Sequence, residues 1–201
     1  MGLRVCVVIC VTSFLLGILF THWIADSLTL WKSPVTDDHL WTSALYYSII
    51  SRAASLHNSL FLLVPLSAIV ALGGVTILWS FRDGEAENLM FDGGSIFLYG
   101  TAVAVYLYSV IPTIQNHFPI PSSLLSTPTF PPSLRTPTLD LASSNLIASV
   151  ALTGVLVFQA GRWWAEHKDG ESGDEGYDGP VFDKPENDDE RVGREEVKDG
   201  N

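Results

Sequence analysis

Residues 141–159 read LASSNLIASVALTGVLVFQ, a stretch of apolar and small residues without Asp, Glu, Lys or Arg. As a helix it would rise about 28 Å, close to the roughly 30 Å hydrocarbon core of a bilayer. Leu3 to Phe20, Leu60 to Phe81 and Ile96 to Ile111 repeat the pattern, with Arg4 at the edge of the first run as their one charge. Backbone in lipid must satisfy its own hydrogen bonds, so helices are expected. The chain therefore reads as an all-α membrane protein, a four-span transmembrane helical bundle with spans at about 3–21, 59–81, 93–112 and 141–161 in a domain of residues 1–164. The uncharged span interiors argue against ion coupling, proton relay and voltage sensing, which need ionisable groups at membrane depth.

Outward from the last run, residues 165–201 hold 14 acids and 5 bases, most of the formal charge of −11 of the 201-residue chain. So few apolar residues cannot bury enough surface to order a chain, and a disordered acidic cytosolic tail is expected. Nucleic acid is excluded as a partner because no Lys/Arg patch exists to meet phosphates, and membrane lipid is met by the spans and not by basic clusters. Four spans put both termini on one side. Arg4, Arg82, Arg162 and Lys168 near span ends then face the cytosol, in mild agreement with the positive-inside rule. The first run is longer than a signal-peptide core and ends in Phe20, Thr21, His22 and Trp23, where small residues would mark cleavage, so it reads as a retained anchor.

The connections differ in kind. Between Thr21 and Asn58, Asp37 and Asp38 are placed to start a helix in which Leu40, Trp41, Ala44, Leu45 and Ile49 recur at helical spacing, with Trp23, Trp31, Tyr46 and Tyr47 of the type that anchors at headgroups. An interfacial helix is expected there. Asp92 is expected to cap the third span, with Gly93 and Gly94 allowing the chain to turn. Pro112 to Asp140 is proline-rich, and the reading is an extended or disordered spacer that tolerates changes of length.

Catalytic chemistry is not legible. The five histidines, His22, His39, His57, His117 and His167, are scattered, and no nucleotide-binding or hydrolase motif occurs, so the chain is read as no enzyme, with no cofactor and no metal site. Cys6 and Cys10 read as small buried apolar residues, with acylation near the membrane surface as the alternative. Four pairs of small residues, Ser13 and Gly17, Ser67 and Ala71, Gly100 and Ala104, and Ser149 and Thr153, stand four apart, a spacing that lets helices approach closely. They are expected mainly to hold the bundle together. In the tail, Asp169 with Glu171 and Asp188 with Glu190 form acid-x-acid triplets similar to export signals read by vesicle coats.

Two segments carry a resemblance. Thr12 to Pro34, TSFLLGILFTHWIADSLTLWKSP, and Phe91 to Gly100, FDGGSIFLYG, resemble the signature segments of the fungal endoplasmic reticulum chaperones that package amino-acid permeases. The residues that match are Thr12, Ser13, Gly17, His22, Trp23, Asp26, Trp31, Asp92, Gly93 and Gly94. The resemblance implies residence in the endoplasmic reticulum membrane, amino-acid permeases as clients, and delivery of them to the vesicle coat, with coat components met through the cytosolic tail. A structural tetraspan organiser and a small transporter or channel subunit are the competing readings.

Overall fold

A computed structural model of the chain describes residues 2–55, 59–82, 89–120 and 129–172, and among these there is helix and connection but no strand. Helix α1 spans Gly2–Leu30, α2 Asp37–Ser55, α3 Ser59–Arg82 and α4 Leu89–Val105; a π-helical turn at Tyr106–Val110 leads into α5, Ile111–His117; and α6 spans Pro132–Ser172. Three of the helical stretches, Leu3–Leu30, Met90–His117 and Pro132–Ala165, are long and apolar enough to cross a membrane. The sequence reading expects four. In α3, Ser59–Arg82, the apolar stretch among the described side chains is Val64–Trp79, and Pro65 lies inside the helix.

α1 does not end at the last aliphatic residue of its run. It continues through His22 and Asp26 to Leu30, because the polar residues of its last turns find partners on other helices. The π turn between α4 and α5 has a local cause. Pro112 has no N–H to give to the preceding turn and its ring crowds that turn, which widens so that the Ile111 N–H donates to the Tyr106 carbonyl.

The proline-rich connection departs further from expectation. It is helical up to His117 and again from Pro132. Pro132 occupies the first helical position, where a missing N–H costs nothing. Pro137 lies inside the helix. The burial of Leu134, Thr138, Leu141 and Ala142 outweighs that defect. Nor are the ends of the connection free. Phe118, Ile120 and Phe130 are buried, the Arg52 Nη2 donates to the Ile120 carbonyl at 3.1 Å, and the Phe130 N–H donates to Asp37 Oδ2 at 3.3 Å. α2 thus holds both ends of the segment from opposite ends of its own length. Residues 121–128 lie outside the described residues.

α6 is the axis of the bundle, packed along both α4 and α1, with α3 set against α1 and α4. Two apolar cores result. One, with Val8, Leu19, Ile77, Tyr99, Ala148, Leu152 and Val155, lies among α1, α3, α4 and α6. The other gathers Ala25, Leu40, Ala44, Tyr47, Val110, Phe118, Phe130 and Leu141 beneath α2. The expected helix in the first connection exists, but with a different face inward. Leu40, Ala44 and Tyr47 are fully buried, whereas Leu45 and Ile49 point outward, because the helix is turned to bring Tyr47 over α1.

Candidate functional site

Two buried polar clamps and an outward face of small residues account for the residues singled out in the sequence. The first clamp lies where α1, α2 and α6 meet. Tyr47 Oη donates to Asp26 Oδ1, while the Asn145 amide nitrogen reaches Asp26 Oδ2 at 3.0 Å and Tyr47 Oη at 2.9 Å. Asp26 and Asn145 are 2 % and 3 % exposed and Tyr47 is wholly buried, so this is a carboxylate held by neutral donors in an apolar setting. Such an arrangement fixes position strongly, since loss of one partner strands the others. Burial and then the Asp26 carboxylate push the Tyr47 phenol above its ordinary range, which keeps it a donor. Beside it, His22 Nδ1 hydrogen-bonds Tyr46 Oη at 2.9 Å, and Ser109 meets Ser144 at 2.8 Å across α6.

The second clamp joins α4 to α6 at the other end of their contact. Arg162 Nη1 donates to both oxygens of Asp92, at 2.7 and 2.8 Å, and Gln159 Nε2 donates to Ser95 Oγ at 2.9 Å. All four side chains are buried. This corrects one expectation. Asp92 lies within the first turn of a helix that begins at Leu89, where it binds an arginine, and is not the residue that caps the span. Arg162 turns into the bundle to meet it. Glycines seat the same interface. A Cβ on Gly94 would fall 2.8 Å from the Phe158 ring, one on Gly154 2.5 Å from Leu98 Cδ1, and one on Gly161 3.0 Å from Phe91. Gly73 plays the same part for α3, facing Tyr99 and Val11, and Tyr99 Oη donates to the Val70 carbonyl at 2.8 Å.

The small-residue pairs read from spacing do something else. Ser13, Gly17, Ser67, Ala71, Gly100, Ala104 and Thr153 are exposed and Ser149 is half-buried, so they do not hold the bundle together as expected. Space around Gly17, Gly93 and Gly100 is open, with nothing within 4 Å of an added Cβ. The outward hydroxyls of Ser67, Thr76, Thr101 and Thr153 are satisfied within their own helices by carbonyls three or four residues back. A shallow groove between α1 and α6 is lined by Leu16, Gly17, Leu19, Phe20, Trp23 and Ser149, all uncharged. Without charge, these outward positions can accommodate apolar helices.

The two signature segments therefore divide. Ser13, Gly17, Trp23, Trp31 and Gly93 have outward or half-open positions; the rings of Trp23 and Trp31 lie 6.0 Å apart. Thr12, Asp26, Asp92 and Gly94 serve the interior or its close contacts, and His22 joins α1 to α2. Sequence reasoning missed Tyr47 and Asn145 as partners of Asp26, and Arg162 as that of Asp92. The available signal was the presence of an Asn near the start, and an Arg at the end, of the long uncharged stretch that follows Asp140. Cys6 and Cys10, expected to be buried, are both exposed. The side chains of Asp169, Glu171, Asp188 and Glu190, and the segment after residue 172, lie outside the described residues.

The SHR3 chaperone family, described as ER membrane protein SH3, matches residues 2–197. The secretory component protein psh3 of Schizosaccharomyces pombe is 25% identical over 162 residues, which is 78% of this chain and 66% of that protein, so the chain spans just under two thirds of its relative's length. No solved structure matches.

Proposed function

The chain belongs to the SHR3 chaperone family of endoplasmic reticulum membrane proteins, and on that premise we propose that it holds the transmembrane helices of newly made amino-acid permeases and readies them for export. One observation carries the reading. The small-residue positions that favour close helix contact stand on the outside of the bundle, while a separate set of glycines packs the inside. Helices in lipid associate through close van der Waals contact and scattered hydroxyls, so an uncharged outward face of Gly, Ser, Ala and Thr is a surface for foreign spans. The two clamps hold that surface in shape. On this reading α3 is a fourth span, both termini face the cytosol, and the acidic tail, with Asp169, Glu171, Asp188 and Glu190, meets vesicle coat components.

The experiment is to delete the gene and follow tagged permeases. Amino-acid permeases should accumulate in the endoplasmic reticulum while unrelated secretory cargo reaches its destination. Arrival of amino-acid permeases at the plasma membrane at the wild-type level would refute the reading.

A further inference from the structure

Cys6 and Cys10 are both solvent-accessible, while Val5, Val8, Val11 and Thr12 around them turn inward. Free cysteine is among the most buried residue types, so two outward thiols on one helix face are unusual. One helical turn separates them, which places both on one side of α1. Among the described residues neither forms a disulfide.

Their height along α1 follows from the helix length. The stretch Leu3–Leu30 rises about 42 Å, some 12 Å more than a hydrocarbon core of about 30 Å. The surplus belongs at the far end, where His22 and Asp26 are bound to α2, a helix with Asp37 and Asp38 in its first turn and Arg52 in its last. Counting back from Thr21 by about 17 residues, the short end of what a span needs, the lipid boundary falls in the first turns of α1, beside the exposed Arg4. Helical side chains lean toward the N-terminal end, which carries the Cys6 thiol to that edge and leaves Cys10 one turn deeper.

We propose that Cys6 and Cys10 form an S-acylation site, with Cys6 the first acceptor and a long-chain acyl-coenzyme A the donor. The Cys6 thiolate attacks the acyl carbonyl and forms a thioester. The bond between that carbonyl and the coenzyme A sulfur breaks, and coenzyme A leaves as its thiol with the proton that Cys6 gave up. No oxidant or reductant is needed. The attached chain enters the lipid along the outward face that already carries Leu3 and Ile9.

The test uses the full-length protein in membranes from its own cells. Free thiols are blocked, thioesters are cleaved with hydroxylamine, and the thiols released are coupled to a maleimide mass tag. The chain contains 2 cysteines, so every hydroxylamine-dependent shift comes from them. The wild type should shift, C10S should retain a single-tag shift, and C6S should lose most of the signal. An unshifted wild type overturns the proposal, and so does a C6S protein that shifts as fully as the wild type. Both substitutions fall on exposed positions, and equal abundance of the variants in the membrane fraction verifies that they fold.

Discussion

At the scale of single residues, the two clamps and the two classes of glycine give opposite expectations. Tyr47→Phe removes the hydroxyl that joins Asp26 to Asn145, and the stranded polar groups should lower stability by about 1–3 kcal/mol in thermal unfolding of the detergent-solubilised protein. A second substitution, Asn145→Ala, should add less than its own separate cost, since both act on one network. Arg162→Met leaves Asp92 buried beside an apolar side chain and should cost about 3–5 kcal/mol; converting Asp92 to Leu in the same protein should recover most of it. Gly73→Ala puts a methyl 2.6 Å from Tyr99 Oη and 2.8 Å from Val11 Cγ1, and should loosen α3. Gly17→Ala meets open space, so its melting temperature should match or exceed that of the wild type. Equal destabilisation by the two glycine changes would contradict the division between inner and outer packing.

At the scale of the elements, α2 is the piece that ties the proline-rich connection to the bundle. It closes the core beneath it and holds both ends of the proline-rich connection through Arg52 and Asp37. Phe130, whose ring lies 5.0 Å from that of Trp41, should be the anchor. Phe130→Ala should cost about 3–5 kcal/mol. An unchanged melting temperature would show that the anchor is elsewhere. Much of this architecture is legible in the sequence. The apolar runs foretell helices, and Asp37 marks where α2 begins. What hydropathy does not contain is the identity of a partner. Asp26 looks like a loop residue because Tyr47 and Asn145 lie 21 and 119 positions away, and only their arrival lets α1 continue past Phe20. Prolines mislead for the same reason. Pro132 and Pro137 argue locally against helix, while the burial of Leu134 and Leu141 is decided by α2. Small-residue spacing is equally silent about direction: Gly94 and Gly100 belong to one signature segment, and the first faces Phe158 while the second faces outward.

At the scale of the whole molecule, the fold separates a closely packed, hydrogen-bonded interior from an apolar exterior. Ion pairing, amide bonds and glycine sockets lie between α4 and α6 and beneath α2. Apolar and small side chains cover the outside, with Val64, Leu72, Val75, Leu78 and Trp79 of α3 all more than half exposed. A protein that holds other helices in lipid needs this division, since its own packing must survive while its surface adapts. Whether the outward glycines hold clients is decided by expressing G17L/G100L at wild-type level in the deletion strain and measuring the share of an amino-acid permease that reaches the plasma membrane. The variant should be stable and resident in the endoplasmic reticulum membrane, with the permease retained there beside it. Delivery of the permease at the wild-type level by that variant would show that clients are held elsewhere.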